Sequence, residues 1–480
     1  MKKILPVPDG STSPQAALVV ICLTSFLVPF MLSSVGVALP TMGREFGASA
    51  LQLGLVETMY ILSVSVFLLA FGRLSDILGR RRVFLWGIGI FTLSTAAISM
   101  AWSIQSIIFM RFFQGVGGAM INVTGLAILV SLFPPTQRGR VLGWMIGAVY
   151  AGISCGPPMG GFLATWFSWR AIFWVGVPIG AACLVAGMTR LRTEWREAQG
   201  ERFDWQGSLL YGLGVGLIVY GATHIGEGIS GRVLVGAGLA VLVLFLRFES
   251  GRSMPVLDIA LLRSNRVFAF SNLAAMINYA STFGVTFFMS LFLQYAKGMS
   301  AQEAGLILAV QPVVQFMVAP FAGRLSDRVP AAWVATAGMG VCALSLGLAS
   351  TVDAQTGPAT IFVLLVSLGL GFAFFAAPNT SVIMGSVEKK HIGLASALTG
   401  VMRTLGMTWS MIAVTVLFSL YMGKHAVTAE TLPRFLNSMQ TAFLFFCILC
   451  LVGVGLSLFR TGKVQTRKGT SEEVAEQVES

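Results

Sequence analysis

The sequence predicts an all-α integral membrane protein with fourteen transmembrane helices, arranged as two six-helix bundles plus an inserted helix pair. Three observations carry this. Hydrophobic residues make up 55% of the 480 and charged residues 11%, with a mean hydropathy of +0.81, more apolar surface than a water-soluble core can absorb. Apolar runs of about 20 residues recur nearly end to end, each long enough to cross about 30 Å of hydrocarbon. The pentapeptide Gly-Arg-Leu-Ser-Asp occurs at 72–76 and again at 323–327, a separation too long for a solenoid repeat and suited to a duplicated half-protein.

Windows bounded by charge, Pro or Gly place the spans at 17–39, 52–72, 83–101, 104–133, 140–164, 170–189, 205–224, 232–248, 267–294, 302–323, 331–350, 357–385, 392–421 and 440–459. Backbone polar groups in lipid must be paired internally, which leaves helices or closed barrels. Runs of 20 residues exclude barrel strands of about ten. Alternate loops differ sharply in Lys and Arg: 73–82, 138–140, 190–202, 247–266, 324–328, 389–390 and both terminal segments hold most of the 32 basic residues. The positive-inside rule then puts both termini in the cytoplasm.

The two pentapeptides follow spans 2 and 10, so spans 1–6 and 9–14 form the repeats. This gives an N-terminal bundle at 1–189, a cytoplasmic linker at 190–204, the inserted pair at 205–248, a second linker at 249–266, a C-terminal bundle at 267–460 and a disordered cytoplasmic tail at 461–480. Parallel repeats of this kind flank a pathway whose substrate site lies near the midplane.

The net charge of +12 sits in short loops, where membrane potential and anionic lipid explain it, so nucleic acid is not an indicated partner. All six cysteines lie within apolar runs and indicate neither a disulfide framework nor a metal site; Cys447-x-x-Cys450 reads as helix packing. The first residues turn polar after Lys2 and Lys3, and a cleaved signal peptide is not expected. Three histidines in loops, with no H-E-x-x-H, G-x-S-x-G or P-loop spacing, argue against an enzyme or an ATP-driven pump. An integral membrane enzyme or a sensor is the alternative of a different class. No cofactor or metal is implied.

Three motifs narrow the reading. Gly72-Arg73-Leu74-Ser75-Asp76-x-x-Gly79-Arg80-Arg81-Arg82, echoed by Gly323, Arg324 and Asp327, has the makings of a gate. A glycine allows close helix approach, and an aspartate can pair with an arginine or a helix N-terminus. An arginine cluster that merely sets topology would account for the charge but not for the glycine and aspartate. Span 5 carries Gly143, Gly152, Gly156, Pro157, Gly160 and Gly161 in the pattern G-x8-G-x3-G-P-x2-G-G, where small residues let backbones meet and prolines interrupt the ladder. Span 4 carries Arg111-x-x-Gln114-Gly115-x-Gly117.

With these motifs the chain resembles the major facilitator superfamily, specifically its 14-span drug:proton antiporter branch, over about residues 17–460. The resemblance implies a major-facilitator-type fold and multidrug efflux through a bacterial inner (plasma) membrane. Arg111 and Glu57 fall at similar depths, about 10 Å from the ends of their spans by helical rise. Either Glu57 is a protonatable carboxylate coupled to Arg111, or it snorkels to the outer interface as a helix-start acid. The branch places an aspartate about seven residues before the Ala38-Leu39-Pro40 end of span 1, where this chain has Met31. With arginines embedded at Arg111 and Arg403 and little acid, the pathway suits neutral or anionic amphipathic compounds better than dications.

Candidate cavity residues are Gln114, Asn122, Asn278, Tyr279, Gln311, Gln315, Asn379 and Arg403; intramembrane Asn and Gln also serve to join helices. The resulting expectation is a monomeric secondary transporter exchanging a small molecule, with proton coupling, by alternating access. A dedicated metabolite or antibiotic exporter is the narrower alternative.

Overall fold

A computed structural model describes residues 12–196, 203–250, 262, 265–387 and 392–459. In chain order the helices are α1 (Pro14–Phe46), α2 (Ala50–Leu78), α3 (Arg80–Ser99), α4 (Ile104–Leu132), α5 (Pro135–Trp166), α6 (Trp169–Arg190), α7 (Trp205–Thr223), α8 (Ile229–Glu249), α9 (Arg266–Leu291), α10 (Ala301–Leu308), α11 (Val310–Arg328), α12 (Ala331–Ala349), α13 (Pro358–Gly385), α14 (Ile392–Tyr421) and α15 (Leu432–Phe459). Among the described residues, twelve helical segments are long and apolar enough to cross a membrane by length and composition, α10 and α11 counting as one. α5 and α7 are the remaining long helices, lying along α1 and α8 respectively. The second linker, the tail and the first eleven residues lie wholly or largely outside the described residues.

Local chemistry starts these helices. Ser49 with Gln52, Ser103 with Ser106, and Ser300 with Glu303 form reciprocal caps at the first turns of α2, α4 and α10, each satisfying two backbone donors that the helix cannot. α1 ends on Gly47 at φ 60°, its N–H bonded to the Gly43 carbonyl. These caps lie at the end of the bundle opposite the Gly72–Arg82 motif; the two ends are called here the far end and the motif end.

One boundary read from the sequence is corrected. α1 does not stop near Pro40 but continues to Phe46. Pro40 has no N–H for the Gly36 carbonyl, and Ser290 Oγ on α9 donates to that carbonyl instead at 2.8 Å. The span at 302–323 runs through α10 and α11 as one apolar segment, Ala301–Ser326; the single residue between them, Ala309, keeps right-handed helical backbone, and Pro312, with no N–H for the Leu308 carbonyl, leaves one rung of the ladder unmade.

α1 packs on α5, α6 and α4, and α3 packs on α4 and α6. In the second half α9 lies against α14 and α15, and α12 lies against α13 and α15. The repeat shows in the packing. A Cβ on Gly87 of α3 would meet Met120 Cβ at 2.6 Å and the Gly117 carbonyl at 3.0 Å, and one on Gly338 of α12 would meet the Gly371 carbonyl at 2.7 Å. Gly87 and Gly338 are separated by the same interval as Asp76 and Asp327. Each half thus crosses its third and fourth helices through a backbone contact that only glycine permits.

The α7–α8 pair touches both halves. Tyr211 Oη of α7 bonds Ser65 Oγ of α2 at 2.9 Å. Near the far end, Ser419 Oγ of α14 accepts from Gly226 N at 3.2 Å and donates to the Thr223 carbonyl at 3.1 Å.

Candidate functional site

Arg111 is fully buried on α4, and helix geometry surrounds it with partners. Its Nη1 donates to Gln114 Oε1, one turn on, at 2.8 Å, and its Nε donates to the Val56 carbonyl at 3.2 Å. Its Nη2 meets Glu57 Oε2 at 3.4 Å, and its guanidinium lies 4.4 Å from the centroid of the Tyr60 ring. Gln114 Nε2 in turn donates to Thr95 Oγ1 on α3 at 2.8 Å. A guanidinium in hydrocarbon needs this much compensation. Glu57 is only 4% exposed, so it does not snorkel. Its Oε1 has no hydrogen-bond partner among the described residues and faces Gly36 of α1, whose Cβ would stand 3.8 Å away.

Close by, the halves are joined at the far end. Ser290 and Gln294 of the second half donate to the Gly36 and Val37 carbonyls, each at 2.8 Å, and Tyr295 donates to that of Pro40 at 3.3 Å. Thr58 on α2 meets Thr415 on α14 at 3.3 Å, and Trp166 Nε1 donates to Gln302 Oε1 at 2.8 Å. The span-5 glycines supply the closest contacts. A side chain on Gly161 would collide with the Ala301 carbonyl and one on Gly305 with the Pro157 carbonyl, so α5 and α10 touch backbone to backbone. Gly152 and Gly160 do the same against Phe26 and Ser34 of α1, Gly156 leaves room for the Ser33 side chain, and Ser34 Oγ donates to the Gly156 carbonyl at 3.0 Å. Gly143, by contrast, faces open space.

Below this seal a polar cluster bridges the halves at mid-depth. Tyr150 of α5 stands beside Gln315 of α11, and Arg403 of α14 stands beside Tyr279 of α9. Arg403 and Tyr279 both lie within electrostatic reach of Tyr150. Gln315 is buried, the two tyrosines are half-buried and Arg403 is exposed. An exposed arginine whose partners come from both halves faces the space between them, not lipid. Phe372 packs edge-on against Tyr279, with centroids 5.2 Å apart.

The other candidates are placed differently. Gln114 is committed to Arg111 and Thr95. Asn379 is buried and donates to the Ser271 carbonyl at 3.1 Å, while Asn278 is buried beside Cys342; both sit between helices. Gln311 is half-buried, its carbonyl packed on Gly369, and Asn122 is exposed.

At the motif end, Asp76 Oδ1 takes Arg80 Nε and Nη2, both at 2.8 Å, and Arg80 Nη1 donates to Ser131 Oγ of α4 at 2.6 Å. Gly79 has φ 116°, a conformation that favours glycine, and a Cβ there would collide with the Glu194 carboxylate. Glu194 accepts from Arg81 N at 2.9 Å and lies 3.8 Å from Arg82 Nε. The first linker therefore begins as a strap over the α2–α3 turn, reinforced by Arg80 N donating to the Trp195 carbonyl at 3.0 Å. A Cβ on Gly72 would meet Val123 at 3.5 Å, an ordinary contact, and one on Gly323 would meet open space. Arg324 lies 5.9 Å from the Phe321 ring centroid. The Asp327 side chain lies outside the described residues.

Tyr60, Tyr150 and Glu194 were not singled out in the sequence. Tyr60 follows Glu57 by three residues and so shares its helix face, and Tyr150 lies inside the span-5 motif; both signals were available. Among the described residues, no group of three or more His, Cys, Asp or Glu side chains is placed to hold a metal.

Two helical halves sealed at one end, with a polar cluster between them and an ion pair in hydrocarbon, define a transporter rather than an enzyme. The family model of the Major Facilitator Superfamily matches residues 21–248 and 272–479, and the chain belongs to that superfamily. It is similar to the riboflavin transporter RibZ of Clostridioides difficile, 27% identical over 445 residues, covering 92% of this chain and 96% of that one. It is also similar to the multidrug resistance protein Stp of Mycobacterium tuberculosis, 31% identical over 382 residues, with 78% and 70% covered. Among solved structures, a bacterial homologue of the human lysosomal transporter Spinster, inward-facing and unoccupied, aligns over 93% of this chain and 96% of its own with a TM-score of 0.66 at 14% identity. That likeness supports the fold.

Proposed function

We propose that this chain is a proton-coupled exporter of neutral or anionic amphipathic compounds, working by alternating access in a bacterial inner membrane as a monomer with both termini cytoplasmic. On this reading there are fourteen crossings: two six-helix bundles, with α7 and α8 inserted between them. The motif end is cytoplasmic, and the conformation described is open toward it. The similarity to a riboflavin transporter and to a multidrug resistance protein supports an organic cargo. The Asp76 and Asp327 loops act as paired latches that engage when the motif end closes.

The observation that carries the coupling is the Glu57 carboxylate, buried with one oxygen on Arg111 and the other unpartnered among the described residues, at the point where α1, α2 and the far-end seal meet. A proton on Oε1 loosens the hold of Arg111 and changes the charge balance beside the seal. The test is uptake of a fluorescent amphiphile into everted vesicles with and without an imposed proton gradient. Glu57→Gln is expected to keep downhill flux and lose its acceleration by the gradient. Unchanged gradient-driven transport in that variant sinks the coupling role, and absence of any protein-dependent flux sinks the exporter reading. A dedicated exporter of one metabolite or antibiotic is the narrower version, told apart by the breadth of compounds that compete.

A further inference from the structure

Resting on that exporter reading, we infer that the cluster of Arg403, Tyr279, Tyr150 and Gln315 binds an oxyanion carried on a flat aromatic frame, and that this makes export directly responsive to membrane potential.

Depth and exposure together supply the argument. Arg403 lies eleven residues into α14, about 16 Å along the helix, and is nevertheless exposed. Exposed charge at that depth is unfavourable unless water or a ligand reaches it. Its described neighbours are tyrosines, Tyr279 and Tyr150. Tyrosine hydroxyls orient a guanidinium without neutralising it. The acid nearest mid-helix among the described residues, Glu57, is turned toward Arg111 and Gly36. The positive charge is left for a ligand.

Chemistry narrows that ligand. A guanidinium is a planar fork matched to carboxylate, sulfonate or ionised phenol. Two half-buried tyrosine rings, one backed edge-on by Phe372, provide aromatic surfaces beside it. Tyr150 and Gln315 lie on opposite halves, so a ligand seated at Arg403 and Tyr150 reports its presence to both.

The energetic consequence follows from sign. Moving one negative charge outward across an inside-negative membrane is favoured by about 2.3 kcal/mol per 100 mV, an accumulation ratio of about 50-fold. Export of a monoanion is therefore driven by potential even at equal pH.

The test uses the purified full chain in liposomes at equal internal and external pH, with two xanthene dyes of opposite fixed charge, sulforhodamine B (net monoanion) and rhodamine 6G (monocation). A valinomycin potassium potential makes the lumen positive or negative. Sulforhodamine B entry is expected to rise at least about tenfold from lumen-negative to lumen-positive at 100 mV, and to be lost in Arg403→Gln. Arg403→Lys should keep part of it, and Tyr150→Phe should lower it a few-fold. Thermal melts of each variant confirm folding. If rhodamine 6G moves and sulforhodamine B does not, or if Arg403→Gln leaves anion flux intact, the anion assignment falls while the exporter reading stands. If neither dye moves through protein that melts cooperatively, the exporter reading falls with it.

Discussion

Arg111 and Arg403 are both embedded in helices of a membrane protein, and the two halves treat them in opposite ways. Arg111 is fully buried, with a carboxylate, an amide, a backbone carbonyl and an aromatic face filling its hydrogen-bonding and electrostatic needs. Arg403 is exposed and leans on tyrosines. A guanidinium whose partners all come from its own half is part of the scaffold, and one that faces the gap between halves is available to cargo. Embedded charge alone does not mark a binding site; what distinguishes the two is where their partners come from.

Four substitutions, with one double variant and one control in open space, test that contrast and the machinery around it. Arg111→Met should have the largest effect, leaving Glu57 buried and unpaired at about 3–5 kcal/mol, read as a drop in thermal midpoint in detergent. The Glu57→Gln, Arg111→Met double variant should recover part of it; a double variant as unstable as the single would show that packing, not charge, dominates. Gly161→Val comes next. It forces α5 off the Ala301 carbonyl at roughly 1–3 kcal/mol for overpacking and should abolish transport by preventing the far-end seal, whereas Gly143→Val, in open space, should keep both stability and flux. Asp76→Asn should slow turnover about tenfold, about 1.4 kcal/mol in the barrier, while leaving equilibrium binding of substrate intact; equal loss of both would count against a latch. Smallest in stability terms is Arg403→Gln, expected to shift unfolding by no more than about 0.5 kcal/mol. A loss matching that of Arg111→Met would erase the distinction.

Much of the architecture was legible because lipid leaves few options. Apolar run length and the repeated pentapeptide gave the helices and the two halves. Equal depth on neighbouring spans made Glu57 and Arg111 candidate partners without deciding between pairing and snorkelling, and the buried contact decides for pairing. What escaped depends on partners distant in sequence. Pro40 looked like a helix end because its rescue by Ser290 lies 250 residues away, as the observed bond records. Gln114 and Asn379 looked like cavity residues because burial between helices and exposure to a pathway have the same composition. Glu194 sat in a stretch read as a linker, and its seat over Gly79 depends on a backbone conformation that no periodicity encodes.

The joints made by α7 bear on how the halves exchange access. It is pinned low to α2 through Tyr211 and high to α14 through Thr223 and Gly226. A swivel that separates α2 from α14 at the far end must shear one of those joints, so the hairpin is a passenger that has to choose a side. On the proposed arrangement of two six-helix bundles with α7 and α8 inserted, the half it stays with gains two helices of mass and lipid contact, and the rocking of formally equivalent bundles becomes the motion of an unequal pair.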